Sequence, residues 1–412
     1  MSGAAVNVQF CAEAIVGSDI ALPFQVQINR LEHDKEKLGY DVSSARGWME
    51  HIEQCDGQLH GVGAYTVIRC DANYTEHELK WKIWGLEFHF SRLCSSYRML
   101  VESLGSGFDG DTSGSCKKES KRRTDGLINA LLDEATLSLR EESILKDDRF
   151  IRTLMLTVLW TPSRTDADSK ESEGTKPITI RGHATFSGAQ RAQFCKEFSL
   201  PSPISACLAI PRYPTAESML LLPRRHRNDD NDQVQPIQSV GASAKISSWC
   251  RTRIPLEDST RFKVPQSGVE EVLLVGRTSD IDFDVEKDFI DSLEILEGLI
   301  TNFFVIYKDG TVRTAPLPKV LSGYSRHLVL EIINELQELK LDDSNAPTVQ
   351  DAKDGVWSEV FVTSAIKLIV PVNRILIPPI NDVGSVTLWQ SDYREPGDYP
   401  FTQLIWSGIV RE

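Results

Sequence analysis

Apolar residues return every three or four positions in two stretches of the N-terminal half. In "KIWGLEFHFSRLCSSYRML", Leu86, Phe90, Leu93, Tyr97 and Leu100 fall on one helical face. A second helix is predicted from Asp125, a good N-cap, with Leu127, Leu131, Leu132, Ala135 and Leu139 inward. Between them, "GSGFDGDTSGSCKKESKRR" (105–123) reads as a polar surface loop, its basic end a solvated segment rather than a localisation patch. Clusters of β-branched and aromatic residues predict strands at "GVGAYTVIRCD" (61–71), "RFIRTLMLTVLWT" (149–161), "PITIRGHATF" (177–186) and "PISACLAIPRYP" (203–214).

After an irregular, charged stretch from 215 to about 242, the pattern turns strand-rich. "VEEVLLV" (269–275) is a predicted strand, followed by the acidic insertion "GRTSDIDFDVEKDFIDS". "ILEGLITNFFVIYKDGTVRTA" reads as two strands joined at Asp309-Gly310, a hairpin signal in which both central residues take φ > 0. A helix is expected from Arg326, with Leu328, Val329, Ile332, Ile333, Leu336 and Leu339 on its buried side. Strands at "WSEVFVTSAIKLIVPVNRILI" and "GSVTLWQSD" follow. The mixture is α+β in two domains, divided near residue 200, without the alternation or the G-x-G-x-x-G of a dinucleotide fold.

Composition narrows the function classes. A net charge of -14 disfavours nucleic acid as a partner, because phosphates need clustered Lys and Arg. The eight cysteines are scattered, without a C-x-x-C pair, which argues against a zinc site or disulfide scaffold and for free thiols in a reducing compartment. No run approaches the ~18 apolar residues of a membrane span. The first basic residue is Arg30, so the start lacks the flank of a secretion signal or transit peptide, and the cytoplasm is the expected location.

The chemistry concentrates between residues 293 and 326. Glu297 stands where a strand begins, beside the small Gly298, and a carboxylate between apolar residues is either paired or at the surface. "LSGYSR" (321–326) is a Gly turn opening a helix, so the amides of Tyr324 and Ser325 lie where anions bind, at the positive end of the helix dipole. Taken singly, each has an ordinary structural explanation.

Together, "EGLITNFFVIYKDGTVRTAP" and "VLSGYSR" resemble the signature of class IV aminotransferases, the fold-type IV enzymes of pyridoxal 5'-phosphate (PLP). The resemblance covers roughly residues 55 to 375. It implies a two-domain fold, with a smaller N-terminal α/β domain (1–200) carrying a phosphate-binding Arg. The C-terminal domain (201–412) would bind the cofactor and carry the Schiff-base lysine. Glu297 matches the acid facing the pyridine nitrogen, which keeps that nitrogen protonated. Tyr324 and Ser325 match the phosphate loop. Arg92, in "HFSRL", matches the Arg that grips the phosphate, for which a guanidinium fork suits better than an ammonium. "VFVTSAIKLIVPV" is similar to a second phosphate-side loop; where the family's threonine falls on Ala365, either Thr363 or Ser364 supplies the hydroxyl or one phosphate bond is absent.

Two lysines compete for the covalent link. Lys263 has the more usual spacing to Glu297, whereas Lys245 opens "AKISSWCRTRIPLED", similar to the version in plant and fungal members; Lys245 is preferred. "RFIRTLM" resembles a stretch of bacterial branched-chain enzymes, which would make Arg152 the candidate for the substrate carboxylate; read by itself, it is a surface arginine at a strand end. Cys250 stands five residues after Lys245, where transaminases often place a tyrosine; His60 is nearest to another family tyrosine, and Ser322 replaces a loop proline. The resemblance therefore implies an aminotransferase working through a lysine aldimine between an amino acid and a 2-oxo acid, as a homodimer and without a metal. A lyase like that acting on aminodeoxychorismate, or a non-catalytic PLP-binding descendant, is the alternative.

Overall fold

The structure is a computed structural model. It describes residues 11–16, 26–30, 44–55, 62–74, 79–103, 114–141, 152–162, 178–186, 200–209, 244–254, 256–258, 268–277, 290–379 and 384–411. The described residues group into two units. The first holds those up to 186 together with Ala244–Arg251; the second holds 200–209 and everything from Thr252 onward.

The first unit is built on a six-stranded antiparallel sheet. Its strands are β1 (Cys11–Val16), β2 (Val26–Arg30), β3 (Ala64–Tyr74), β4 (Leu79–Ile83), β5 (Arg152–Pro162) and β6 (Ile178–Phe186), in the order β2-β1-β6-β5-β3-β4. Along β5, Leu154, Leu156, Val158 and Trp160 face one way, and Met155 and Leu159 the other. Both faces are covered, so "LMLTVLW" is a near-continuous apolar run rather than an alternation. On one face lie α2 (Leu86–Ser103) and α3 (Gly114–Glu141), on the other α1 (Ala45–Cys55) with Trp48 and Met49. The expected stripe on α2 is the buried one: Phe90, Leu93 and Leu100 are in the core, and Leu86 and Tyr97 pack at its edge.

The start of α3 corrects the sequence expectation. The helix begins at Gly114, so the end of the supposed 105–123 loop is helical and Asp125 is not its cap. Glu119 is bonded to Arg122 at 2.9 Å and to Arg123 at 2.7 Å, three and four residues on. The charge run is thus the solvated face of a helix, supported by its own ion pairs. Where α3 crosses β6, a Cβ at Gly182 would stand 2.4 Å from Leu127 Cδ2 and 2.8 Å from Leu131 Cδ1. Gly182→Val is expected to lower stability by about 1–3 kcal/mol through overpacking, seen as an earlier urea midpoint.

In the second unit a nine-stranded sheet closes on itself. The strands are β7 (Ile204–Leu208), β8 (Val269–Arg277), β9 (Leu293–Gly298), β10 (Asn302–Tyr307), β11 (Thr311–Arg313), β12 (Lys340–Asp342), β13 (Trp357–Ser364), β14 (Leu368–Ile377) and β15 (Val386–Gln390). The ring runs β10-β13-β14-β7-β8-β9 and back to β10. Alternate residues fill its interior, among them Ala206, Leu273, Ile295, Phe303, Val305, Val360, Val362 and Val372. Outside, Phe304 and Phe361 stack at 4.9 Å. Helix α5 (Tyr324–Glu335) and helix α7 (Pro400–Arg411) pack on each other and on β13. Two short helices complete the α-helices among the described residues: α4 (Ser248–Thr252), all but its last residue in the first unit's added segment, and α6 (Val349–Lys353) in the second unit.

The β10–β11 hairpin also differs from expectation. Gly310 has φ of +82°, but Asp309 does not share the left-handed conformation. Gly310 N donates to Tyr307 O at 3.0 Å and Thr311 N to the Asp309 carboxylate at 2.9 Å. The loop is therefore the three-residue form, a turn followed by a left-handed Gly, which needs only one residue at positive φ. No described helix is long and apolar enough to cross a membrane.

Candidate active site

In the first unit, the segment containing Lys245 occupies the edge of β3 that β4 leaves open near residue 64. Tyr65 N donates to Lys245 O and Ser247 N to Gly63 O, both at 2.9 Å, around an antiparallel bridge between Ala64 and Ile246. Gly63 N donates to Ser247 Oγ, and Lys245 N to Ser96 Oγ on α2, both at 3.0 Å. A Cβ at Gly63 would lie 2.5 Å from Trp160 O, so the close approach of chains here requires glycine. With its backbone held on both sides, Lys245 sets its ammonium 5.1 Å from the centroid of the Tyr65 ring. The Cys250 thiol donates to Tyr65 Oη at 3.8 Å.

Helix α2 supplies two further groups. His89 and Arg92, three residues apart, share its buried face, and both meet Thr66 of β3. Arg92 Nη2 donates to Thr66 Oγ1 at 2.8 Å and to His89 Nδ1 at 3.1 Å; Thr66 Oγ1 is 2.8 Å from the same ring nitrogen. An Nδ1 that accepts from a guanidinium assigns the ring proton to Nε2. Burial holds His89 well below the usual imidazole range, and the Arg92 and Lys245 cations push the same way, so it is neutral. Burial pulls the Arg92 guanidinium down to about 10, opposed by the Tyr65 oxygen; it stays charged at neutral pH. The cluster is cationic and partly desolvated, a chemistry suited to an anion.

The second unit gathers a different set. Across β9, β10 and β13, Glu297 pairs with Asn302 and Asn302 with Thr363, so the three side chains form a row on one face of the sheet. Asn302 Nδ2 donates to Glu297 Oε2 at 3.2 Å and to Leu321 O at 2.9 Å; Leu321 N donates to the same Glu297 oxygen at 3.0 Å. The Leu321 loop leads into α5, whose N-cap is Gly323. A Cβ there would lie 2.2 Å from Asn302 Oδ1, so a side chain at 323 would drive the loop off the row.

At the start of α5, Ser325 Oγ donates to Ser364 O at 2.8 Å, tying the helix to the end of β13. No side chain caps this terminus. Beside it Thr363 Oγ1, on a residue 1% exposed, has no hydrogen-bond partner. Arg326, one position on from Ser325, is buried and donates to Ala315 O at 3.1 Å. Burial lowers its pKa, and the Asp343 and Glu297 charges act against that. Uncapped amides next to an orphaned buried hydroxyl are the donor set an oxyanion such as phosphate takes up.

The residues expected from the sequence thus fall into two groups. Glu297, Tyr324, Ser325 and Ser364 lie together in the second unit, Tyr324 and Ser325 as the first two residues of α5. Arg92 and Lys245 lie in the first unit, although the sequence reading assigns the lysine to the C-terminal half. The Ser364 hydroxyl accepts from Lys367 N at 3.1 Å, so the orphaned hydroxyl of this loop is that of Thr363. Arg152 opens β5 opposite Ala72, its side chain outside the described residues, as are Lys263 and His60 altogether. Sequence reasoning gave no role to Tyr65, Thr66, His89 or Asn302, although His89 and Asn302 stand within the motifs it singled out. Two had a signal: His89 sits three before Arg92 on one helix face, and Asn302 follows Glu297 across a short turn. Tyr65 had none, since it meets Lys245 across most of two hundred residues.

No family model and no curated protein matches the chain. Among solved structures, the branched-chain aminotransferase of Thermoproteus uzoniensis with norvaline is similar at 16% identity, TM-score 0.48, over 85% of this chain and 84% of that one. The branched-chain amino acid aminotransferase of Thermobaculum terrenum, in PLP form, is similar at 13% identity, TM-score 0.47, over 98% and 94%. A hypothetical aminotransferase from Mycobacterium tuberculosis, PLP-bound, is similar at 15% identity, TM-score 0.46, over 85% and 89%.

Proposed function

We propose that the chain is a PLP-dependent aminotransferase of the fold-type IV class, passing an amino group from an amino acid to a 2-oxo acid. The observation that carries this reading is the Glu297 carboxylate held by Asn302 and the Leu321 amide beside the uncapped start of α5. When bound, the cofactor supplies an aldehyde for a lysine amine and an electron-accepting ring. Glu297 would hold a proton on the ring nitrogen, oriented by its two donors. In the second unit the α5 amides and Thr363 Oγ1 are suited to phosphate charge, and in the first unit the Arg92 guanidinium is suited to it as well. Lys245 Nζ would form the covalent link and, once released, carry the proton at the substrate Cα. Neutral His89 holds Arg92 without adding charge of its own. The homodimer and cytoplasmic location implied by the resemblance belong to the same reading.

Arg92→Met keeps the apolar stem and removes the fork. It is expected to weaken PLP binding about 10- to 100-fold, the worth of a charge-assisted hydrogen bond or two, measured by titration of the cofactor-free protein. Unchanged affinity would take the phosphate role from Arg92. Cys250, where a tyrosine is usual, favours the lyase as the second reading. Amino transfer that depends on an added 2-oxo acid separates the two, since a lyase needs no acceptor.

A further inference from the structure

Glu271 is a buried carboxylate that the proposed chemistry does not use. It lies on β8, 6% exposed, yet it accepts from Val272 N at 2.9 Å, Leu299 N at 3.3 Å and Thr301 Oγ1 at 2.9 Å. Two of these donors belong to the tip joining β9 to β10. That tip is closed by Gly298 N donating to Thr301 O at 2.8 Å and docked by Leu299 N on Val272 O at 3.1 Å. A Cβ at Gly298 would come within 2.0 Å of Thr301 Oγ1 and 2.8 Å of Glu271 Cδ, so the glycine leaves the space the carboxylate fills. The residues flanking the tip are Glu297 and Asn302.

We propose that Glu271 is a positioning residue for this site: it clamps the Gly298–Thr301 tip and thereby sets the Glu297 carboxylate against Asn302 and the Leu321 amide. A surface turn would not need a desolvated acid. Burial pushes the Glu271 carboxyl upward, while Val272, Thr301, Leu299 and the Arg253 charge act the other way. Three donors on one buried group also fix its place more firmly than one could. The inference rests on the reading of Glu297 as the ring-facing acid only for its consequence in catalysis; the clamp itself is a property of the cofactor-free chain.

The test uses that chain, comparing wild type with Glu271→Gln and with Thr301→Val, a milder change that spares the core. Carbon NMR follows the Glu297 carboxyl titration, and hydrogen exchange follows the Leu321 amide. Removing a negative charge would by itself move the Glu297 midpoint down, whereas loosened donors move it up. The expected result is an upward move in both variants, larger in Glu271→Gln. Exchange at Leu321 should rise about tenfold, one charge-assisted hydrogen bond's worth, with amides in the middle of β13 unchanged. A midpoint that falls or stays, or exchange that rises evenly across the barrel, would overturn the proposal. PLP is then added and absorbance read. If wild type takes up none, the aminotransferase reading fails, and the cofactor-free comparison still decides the role of Glu271.

Discussion

Lys245→Ala should abolish amino transfer, by about a thousandfold or more, because the variant loses both the nucleophilic amine and the proton carrier. In protein supplied with PLP, the absorbance at about 410–430 nm expected of lysine-linked cofactor should vanish with it. The effect is local by construction. The Lys245 backbone makes the bonds that seat the segment on β3 and α2, through its own N and O, and alanine keeps both. The fold of the first unit should therefore survive, with an unchanged unfolding midpoint. Full activity in Lys245→Ala would return the role to Lys263, the rival of more usual spacing.

The largest stability effect is expected at Glu359, fully buried on β13. Its carboxylate accepts from Phe401 N at 3.0 Å, Thr402 N at 2.8 Å and Thr402 Oγ1 at 2.6 Å. Phe401 N and Thr402 N are first-turn amides of α7, which opens at Pro400, and such amides have no partner within their own helix. Glu359→Ala would leave the donors unpaired and open a void, a loss of about 3–5 kcal/mol. Glu359→Gln keeps one acceptor and should lose about 1–2 kcal/mol. Urea unfolding read by Trp406, buried on α7, measures both. Equal stability of Glu359→Ala and wild type would show that α7 is held by its apolar face alone.

Local patterns in the sequence carried most of the elements because their causes are local. The α2 stripe follows from helical spacing, and the apolar run of β5 from a strand covered on both faces. The early start of α3 was hidden because a charged run reads as loop unless its i,i+3 and i,i+4 ion pairs are counted. In the hairpin, the Asp-Gly pair marked the place but not the loop length, which the β10–β11 register decides. The candidate site divides in the same way. Glu297 and the α5 terminus stood out as linked motifs, whereas Tyr65 and Glu271 acquire their roles only through contacts distant in sequence. A buried acid on "VEEVLLV" looks like any strand residue until the tip it clamps is folded against it.

The most direct test is borohydride reduction of the protein supplied with PLP, followed by proteolysis and mass spectrometry of the pyridoxyl-labelled peptide. The label is expected on Lys245, in the peptide bearing "AKISSWCR". A label on Lys263 or on any other lysine, or no label at all, would contradict it.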